Sequence, residues 1–147
     1  MNGEFFIAGE AIGTEARFHA IDPSSGESID PGFSVATEEH VERACAAAAA
    51  AFEDYSVAPR ERRAKLRESR ADEIMALGDA LIERAHLETG LPIARLTGER
   101  ARTCGQLKLF ASEVRDGGWM DIRIDPALPD RQPLPRADLR LIKLPIG

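Results

Sequence analysis

Hydrophobic and polar residues alternate with a helical period in the centre of the chain and with a strand-like period towards its two ends. Apolar side chains recur every three or four residues from Thr37 to Tyr55, from Arg60 to Gly90 and from Pro92 to Asp116, which predicts three long helices. Thr37 suits an N-cap, and Gly90 can adopt the left-handed conformation that ends a helix. The centre of the chain is therefore predicted to be helical.

Small residues fill part of the first helix and one stripe of the third. The alanine run from Ala46 to Ala51 predicts that the first helix packs tightly. The stripe of the third helix carries two glycines, each of which costs about 1 kcal/mol relative to alanine, so another backbone or a ligand is expected to come close. The residues of this stripe are Gly98, Arg102, Gly105 and Leu109.

The N-terminal segment has the alternation and turn residues of a β-hairpin. Residues 4–12 predict a strand, a turn at Gly9 and Glu10, and a short return strand. Residues 17–21 predict a second extended piece, which ends at the turn from Asp22 to Glu27 because proline, serine and glycine there favour a turn.

Two further alternating segments, residues 119–125 and 138–144, are separated by a connector that contains four prolines. Each segment has apolar residues on one face and charged residues on the other, as half-exposed strands do. We call residues 119–144 the arm. It is predicted to project as two strands with exposed edges, which a strand from another subunit could complete.

The composition and charge of the chain exclude some classes of binding partner. The net charge of −6 argues against a nucleic-acid partner, because phosphate binding requires a basic face. No apolar run approaches the length that spans a bilayer, and the first residues lack the features of a signal peptide, so we expect no membrane partner and a cytoplasmic protein. The arginines from Arg60 to Arg70 alternate with acids, which favours a solvated helix face over an anion-binding patch.

The cysteines and histidines suggest no catalytic or metal centre. Cys45 and Cys104 are far apart and match no metal-binding or redox spacing, so both are expected to be small packing residues in a reducing compartment. The three histidines are equally scattered. No nucleophile with an adjacent base can be identified from these residues.

The boundary between the second and third helices has the most specific sequence pattern. Glu88-Thr89-Gly90-Leu91-Pro92 is a helix stop followed by a helix start, and it resembles the Glu-Thr-Gly-x-Pro joint of the aldehyde dehydrogenase superfamily. The continuation from Gly98 to Leu107 resembles the branch that oxidises 2,5-dioxopentanoate (α-ketoglutaric semialdehyde) with NADP. The turn from Asp22 to Glu27 and the segment Leu144 to Gly147 also resemble that superfamily, in the same order along the chain.

This resemblance implies an α/β aldehyde dehydrogenase fold of which the chain is the N-terminal part: a β-hairpin, three long helices and the protruding arm. It implies that residues 1–118 belong to the cofactor-binding domain and residues 119–144 to the oligomerisation region, so that the protein forms a dimer or tetramer through the arm. The catalytic domain, and the residues that bind NADP or NAD, would lie outside the chain. The segment alone is therefore expected to be inactive.

The resemblance also implies two candidate sites. Arg102 lies near the position that lines the aldehyde tunnel in similar enzymes, where it could hold the carboxylate of an aldehyde-acid in a two-pronged hydrogen bond. Pairing of Arg102 with Glu99 or Gln106 on the surface is the alternative. Many relatives hold a structural monovalent cation, for which the matching groups here are the Ile21 carbonyl and Glu88. Glu88 could instead be an exposed helix end.

Two functions are compatible with these patterns. The first is the N-terminal part of an enzyme that oxidises a small aldehyde-acid, 2,5-dioxopentanoate, to 2-oxoglutarate with NADP. The alternative is a stand-alone helical module that binds a partner through the arm and has no activity. The chain ends directly after the last predicted strand, without a cap or polar tail, which we take as favouring the first function.

Overall fold

The computed structural model describes residues 2–144 of the chain. Within these residues, three two-stranded antiparallel sheets flank four helices, and each sheet is a separate pair of strands. The strands are β1 (Phe5–Ile7), β2 (Glu10–Ile12), β3 (Arg17–Ile21), β4 (Ser28–Ser34), β5 (Arg123–Asp125) and β6 (Leu139–Leu141). The helices are α1 (Glu38–Ser56), α2 (Arg60–Ala76), α3 (Gly78–Thr89) and α4 (Ile93–Asp116), and a short 3₁₀ helix spans Gly118–Met120.

The N-terminal segment forms two hairpins, so the prediction of a single hairpin is wrong. β1 pairs with β2 as predicted, and β3 pairs with β4, a strand that the sequence pattern does not predict. β4 contains Pro31 and Gly32, residues that are depleted in regular strands. The register between β3 and β4 shifts between Phe18 and Ala20, which accommodates these two residues as an irregularity.

Helix α1 has the predicted limits but not the predicted packing. Its N-terminus is closed by His40 Nδ1, which accepts a hydrogen bond from the Thr37 backbone N–H at 3.1 Å. None of its 19 residues is buried, and the alanine run lies largely exposed. Cys45 is exposed, so the expectation that it is a packing residue is wrong, whereas Cys104 is buried as expected.

The helix predicted from Arg60 to Gly90 is broken into α2 and α3, so residues 2–144 contain four α-helices rather than three. The break falls at Leu77 and Gly78, where Gly78 adopts a left-handed φ of 61°. Arg100 of α4 donates a hydrogen bond from Nη1 to the Gly78 carbonyl at 2.5 Å. Because the break changes the helical phase, Ile82 is buried, while Leu77, at the break itself, is exposed.

The core lies between α2 and α4, which pack antiparallel through small side chains. Ala64, Ala71 and Ala111 are fully buried, and Cys104 is almost fully buried. Cys104 Sγ lies 3.4 Å from the Ala71 carbonyl oxygen, to which it donates. The two buried residues of each helix are seven positions apart, so they form one seam in which the two backbones approach closely.

The arm is less regular than the sequence predicts. Its first expected strand begins as the 3₁₀ helix, and only Arg123–Asp125 pairs with Leu139–Leu141. Strands β5 and β6 have no buried residue. The end of the arm is attached to its start, because the Lys143 N–H donates to the Met120 carbonyl at 2.9 Å.

Candidate functional site

The joint between α3 and α4 is fixed by local hydrogen bonds. Gly90 has a φ of 68°, and its N–H donates to the His86 carbonyl at 2.8 Å, which ends α3 as predicted. His86 Nδ1–H donates to the Leu91 carbonyl at 2.7 Å, and Thr89 Oγ1 accepts from the Leu91 N–H at 3.2 Å. The residues of the Glu-Thr-Gly-x-Pro pattern thus hold one defined turn between two helices.

The turn after β3 packs directly against this joint. A Cβ atom built on Gly90 would lie only 3.2 Å from Pro23 Cγ, so a larger side chain would crowd the contact. The turn itself is ordered by Asp22, whose carboxylate accepts from the hydroxyl and the backbone N–H of Ser24 at 2.7 and 2.8 Å. These hydrogen bonds hold the pKa of the Asp22 carboxyl below its ordinary value.

The contact between Pro23 and Gly90 lies close to both candidate cation ligands. Ile21 is two residues before Pro23, and Glu88 is two residues before Gly90. Asp22 N–H donates to the Glu27 carbonyl, so the neighbouring pair Ile21–Ser28 is not hydrogen-bonded across the ladder, and the Ile21 carbonyl points away from β4. Glu88 Oε1 accepts from Arg84 Nε at 2.5 Å, while its other oxygen has no partner among residues 2–144. An outward carbonyl and a free carboxylate oxygen are the donor types that suit a hard monovalent cation.

Arg84 is the residue at this junction that sequence reasoning missed. Besides Glu88, its guanidinium donates from Nη1 to the Asp30 carbonyl at 2.5 Å and lies over the Phe33 ring at 5.3 Å. It thereby attaches β4 to α3 and fixes the rotamer of Glu88. The spacing of Arg84 and Glu88 as a helical i,i+4 pair was a usable signal.

Arg102 lies on the exposed side of α4, two residues before the buried Cys104 and therefore nearly opposite it around the helix. The alternative pairing with Glu99 or Gln106 is not present, since Arg102 makes no side-chain hydrogen bond or ion pair within residues 2–144. Apart from its chain neighbours and the backbone of α4 itself, neither Gly98 nor Gly105 has an atom of residues 2–144 within 4 Å of a Cβ built on it. The close approach expected at this stripe is therefore not made by residues 2–144.

Three arginines at the start of α2 contact other elements. The expectation of a solvated face is wrong for Arg63 and Arg67, which are half-buried, whereas Arg60 is exposed. Arg60 Nη1 donates to the carbonyls of Arg115 and Asp116 at the end of α4. Arg67 donates to Tyr55 Oη of α1, and Arg63 lies over the Trp119 ring. These contacts leave the arginines as connectors of helices rather than as a patch for anions.

The opposite charges of α2 and α4 meet at Arg115. Its guanidinium donates to both carboxylate oxygens of Glu61, at 2.7 and 3.0 Å, and to those of Glu68, at 2.5 and 2.8 Å. The hydrogen bonds from Arg115 hold the pKa values of Glu61 and Glu68 below their ordinary value, and the two carboxylates raise the pKa of Arg115. The helical i,i+4 pair Glu61–Lys65 is also present, at 3.9 Å.

Within residues 2–144, no three histidine, cysteine, aspartate or glutamate side chains gather as ligands of a metal ion. The described helices include none that is long and apolar enough to cross a membrane. What this part of the chain offers chemically is an unpaired arginine on an exposed helix face and a small group of oxygen donors at the helix joint.

Comparison with known sequences identifies relatives over the whole chain. A sequence profile of the aldehyde dehydrogenase family matches residues 11–134. Alpha-ketoglutaric semialdehyde dehydrogenase 2 of Azospirillum brasilense is 57% identical over 100% of the chain. Alpha-ketoglutaric semialdehyde dehydrogenase of Acinetobacter baylyi is 42% identical over 99% of it. The chain spans only 28% of the length of each of these two relatives.

Solved structures lead to the same conclusion. Betaine aldehyde dehydrogenase of Staphylococcus aureus, in complex with NAD+, superposes with a TM-score of 0.75 at 27% identity, over 88% of this chain and 26% of that one. Succinate-semialdehyde dehydrogenase of Burkholderia pseudomallei gives a TM-score of 0.73 at 28% identity, over 86% and 26%. These matches confirm the predicted fold class and the predicted position of the segment within it. The chain therefore belongs to the aldehyde dehydrogenase family and forms an N-terminal segment of its fold.

Proposed function

We propose that the whole protein oxidises 2,5-dioxopentanoate, a small aldehyde-acid, to 2-oxoglutarate. The observation that carries this proposal is the 57% identity over the entire chain to the Azospirillum semialdehyde dehydrogenase. In this chemistry a thiolate adds to the aldehyde, a hydride leaves for a nicotinamide cofactor, and water releases the acid. The nucleophile and the base for these steps would be supplied by residues outside this segment, which alone is inactive.

The mass of the polypeptide made in its natural cell tests this proposal first. The chain has a mass of 16.0 kDa and matches 28% of the Azospirillum relative, so a protein of that relative's length would be between three and four times heavier. We expect that mass, and NADP reduction by the intact polypeptide on addition of dioxopentanoate. A natural product of 16.0 kDa would refute the enzyme and favour the stand-alone module that binds through the arm.

The cofactor is NADP or NAD. Support comes from the family match and from the Staphylococcus aureus relative, which was solved with NAD+. The rate of absorbance change with each cofactor at equal concentration decides between the two. We also propose a cytoplasmic location, supported by the two free cysteines, which suit a reducing compartment. Recovery in a secreted or periplasmic fraction would contradict that location.

We propose that Arg102 binds the carboxylate of the aldehyde-acid. It is exposed on α4, beside two glycines that leave room for another group, and its guanidinium is unpaired within residues 2–144. Arg102→Leu in the whole enzyme should lower kcat/KM for dioxopentanoate about tenfold or more, while an uncharged aldehyde of similar length is affected little. Arg62→Leu, which removes another exposed arginine, is the control. Unchanged discrimination between the two aldehydes would refute the role.

We propose that the Ile21 carbonyl and Glu88 hold a structural monovalent cation. The contact of Pro23 with Gly90, the outward carbonyl and the unpaired Glu88 oxygen support this assignment. The cation would bind the Glu88 oxygen that Arg84 leaves free and would attach β3 to the joint. The whole enzyme should melt at a higher temperature in potassium than in tetramethylammonium, and Glu88→Gln should remove the difference. Equal melting temperatures in the two salts would contradict the site.

The last part of the proposal concerns assembly. We propose that residues 1–118 belong to the cofactor-binding domain and that the arm, residues 119–144, joins copies of the protein into a dimer or tetramer. The arm exposes apolar side chains on both strands, including Ile124 and Leu141, each more than half exposed. Ile124→Lys should therefore convert the oligomer to monomers in sedimentation experiments. An unchanged sedimentation coefficient would refute assembly through the arm.

A further inference from the structure

Arg84 brings a fixed positive charge to the joint between α3 and α4. Its side chain is only 15% exposed, and its Nη2 is shielded from solvent. The Asp30 carbonyl accepts from Nη1, and the guanidinium lies over the Phe33 ring. Both contacts come from β4, so they hold the guanidinium in one place beside the joint. A partly buried charge of this kind is screened less by water and salt than an exposed one.

Glu88 is the only ionic partner of Arg84 within residues 2–144. Glu88 Oε1 accepts from Arg84 Nε at 2.5 Å, and the Glu88 side chain is 33% exposed. Asp30 adds no second ion pair to the guanidinium, because it contributes its backbone carbonyl and its own carboxylate lies beside His19 Nε2 at 3.4 Å. The single negative charge of Glu88 is therefore already balanced by Arg84 before any cation binds.

This balance changes how strongly Glu88 can attract a cation. A cation on the free oxygen of Glu88 would share one carboxylate with the guanidinium, and two positive charges on one carboxylate repel each other. Glu88 without Arg84 would offer a whole negative charge to the cation. The Arg84 side chain also connects α3 to β4 without any cation. Arg84 thus performs part of the structural role that a bound cation would have.

We propose that Arg84 sets the affinity of the joint for the monovalent cation, because its guanidinium occupies one of the two Glu88 oxygens. With Arg84 present, the cation binds weakly and the joint keeps its structure when the cation leaves. Without that charge, the same carboxylate binds the cation more tightly and the joint depends on it. The proposal rests on the cation site proposed for the Ile21 carbonyl and Glu88, and it makes Arg84 a positioning residue of that site.

Substitutions of Arg84 by neutral residues test the role of its charge. The melting temperature of the whole enzyme is measured against potassium concentration, with tetramethylammonium keeping the ionic strength constant, and the half-maximal concentration reports the affinity. Arg84→Met removes the charge and the hydrogen bonds. Arg84→Gln removes the charge but can still donate to Glu88 one helical turn away, so it serves even if Arg84→Met does not fold. Each should lower the half-maximal potassium concentration about tenfold and melt below the parent in tetramethylammonium alone.

Two further variants separate this charge from other effects. Arg84→Lys keeps the positive charge and loses the planar guanidinium, so its half-maximal potassium concentration should stay within about twofold of the parent. Arg62→Met is the matched control, because it removes one positive charge from an exposed position of α2. Its neighbour Glu61 pairs with Arg115, at the opposite end of α4 from the joint. Arg62→Met should therefore leave the potassium dependence unchanged.

The outcomes distinguish the role of Arg84 from the cation site itself. Potassium dependence in the parent, with the same half-maximal concentration in Arg84→Gln and Arg84→Met, would overturn the role of Arg84 and leave the site in place. Equal shifts in Arg84→Lys and Arg84→Gln would overturn it too, because the lost contacts and not the charge would then be responsible. If neither the parent nor any variant responded to potassium, the cation site would be refuted, and this proposal with it.

Discussion

Helices α1 and α2 are similar in length, but their environments differ. Helix α1 is rich in alanine, and α2 is rich in charged residues. The alanines of α2 that face α4, Ala64 and Ala71, are fully buried, whereas the alanine run of α1 is largely exposed. Alanine has high helix propensity in either place, but it has too little apolar surface to create a core by itself. The difference shows that a partner helix with its own small residues, not the alanine content, determines whether such a face is buried.

Enlarging a buried alanine is the strongest way to test this comparison. Ala64→Leu forces three extra carbons into the α2–α4 seam and should lower the free energy of unfolding by about 1–3 kcal/mol. Ala49→Leu makes the same change on exposed α1 and should stay within about 0.5 kcal/mol of the parent. Urea unfolding followed by circular dichroism measures both. Equal losses would mean that α1 is packed as closely as α2.

Removing Arg100 should have the next largest effect. Its hydrogen bond to the Gly78 carbonyl closes the break between α2 and α3, and a charged donor of this kind contributes about 1–3 kcal/mol. Arg100→Met should therefore destabilise the chain and speed amide hydrogen exchange at the start of α3. Arg95→Met, on an exposed position of the same helix, is the control. Unchanged exchange at Gly78 and its neighbours would contradict the role of Arg100.

The parts of the fold that sequence patterns predicted are those set by local chemistry. Gly90 and Pro92 act within one turn, so the helix joint and the limits of α4 were predicted, as was the N-cap at Thr37. The break at Gly78 was missed, because a single glycine in a helical pattern is often tolerated and its stabilising partner, Arg100, lies on a different helix.

The parts that escaped prediction depend on tertiary contacts. The α2–α4 seam was missed because alanine and cysteine give a weak hydrophobic pattern. The larger Ile93 and Phe110 side chains give a stronger one, yet they remain exposed. The position of Ile21 beside the helix joint was implied only by family resemblance, since Pro23 and Gly90 are far apart in sequence. The role of Arg84 could not be predicted, because its partner Asp30 lies in β4. The proline and glycine of that strand kept the sequence pattern from indicating a strand.

Helix α1 has no buried residue, but its N-terminus is closed by specific contacts of His40. His40 accepts the Thr37 N–H and its ring makes an edge contact with Phe5 at 5.1 Å, so it closes the helix and touches β1. His40→Ala should cost about 0.5–1 kcal/mol, while His40→Gln, which can still accept this hydrogen bond, should cost less. Urea unfolding of the two variants measures the difference. Equal costs would show that the histidine acts through packing alone.

Acid should loosen the α2–α4 pair through Glu61 and Glu68, and this is the smallest effect because both side chains are solvent-accessible. Hydrogen bonds from Arg115 hold the pKa of each carboxyl below its ordinary value of 4.5, so their contribution to stability is complete above that value. It is lost as the pH falls through the lowered folded-state pKa values. Arg115→Gln should therefore make the urea midpoint depend less steeply on pH in the acid range. If parent and variant lost stability in parallel on acidification, the acid response would have to come from carboxylates outside this cluster.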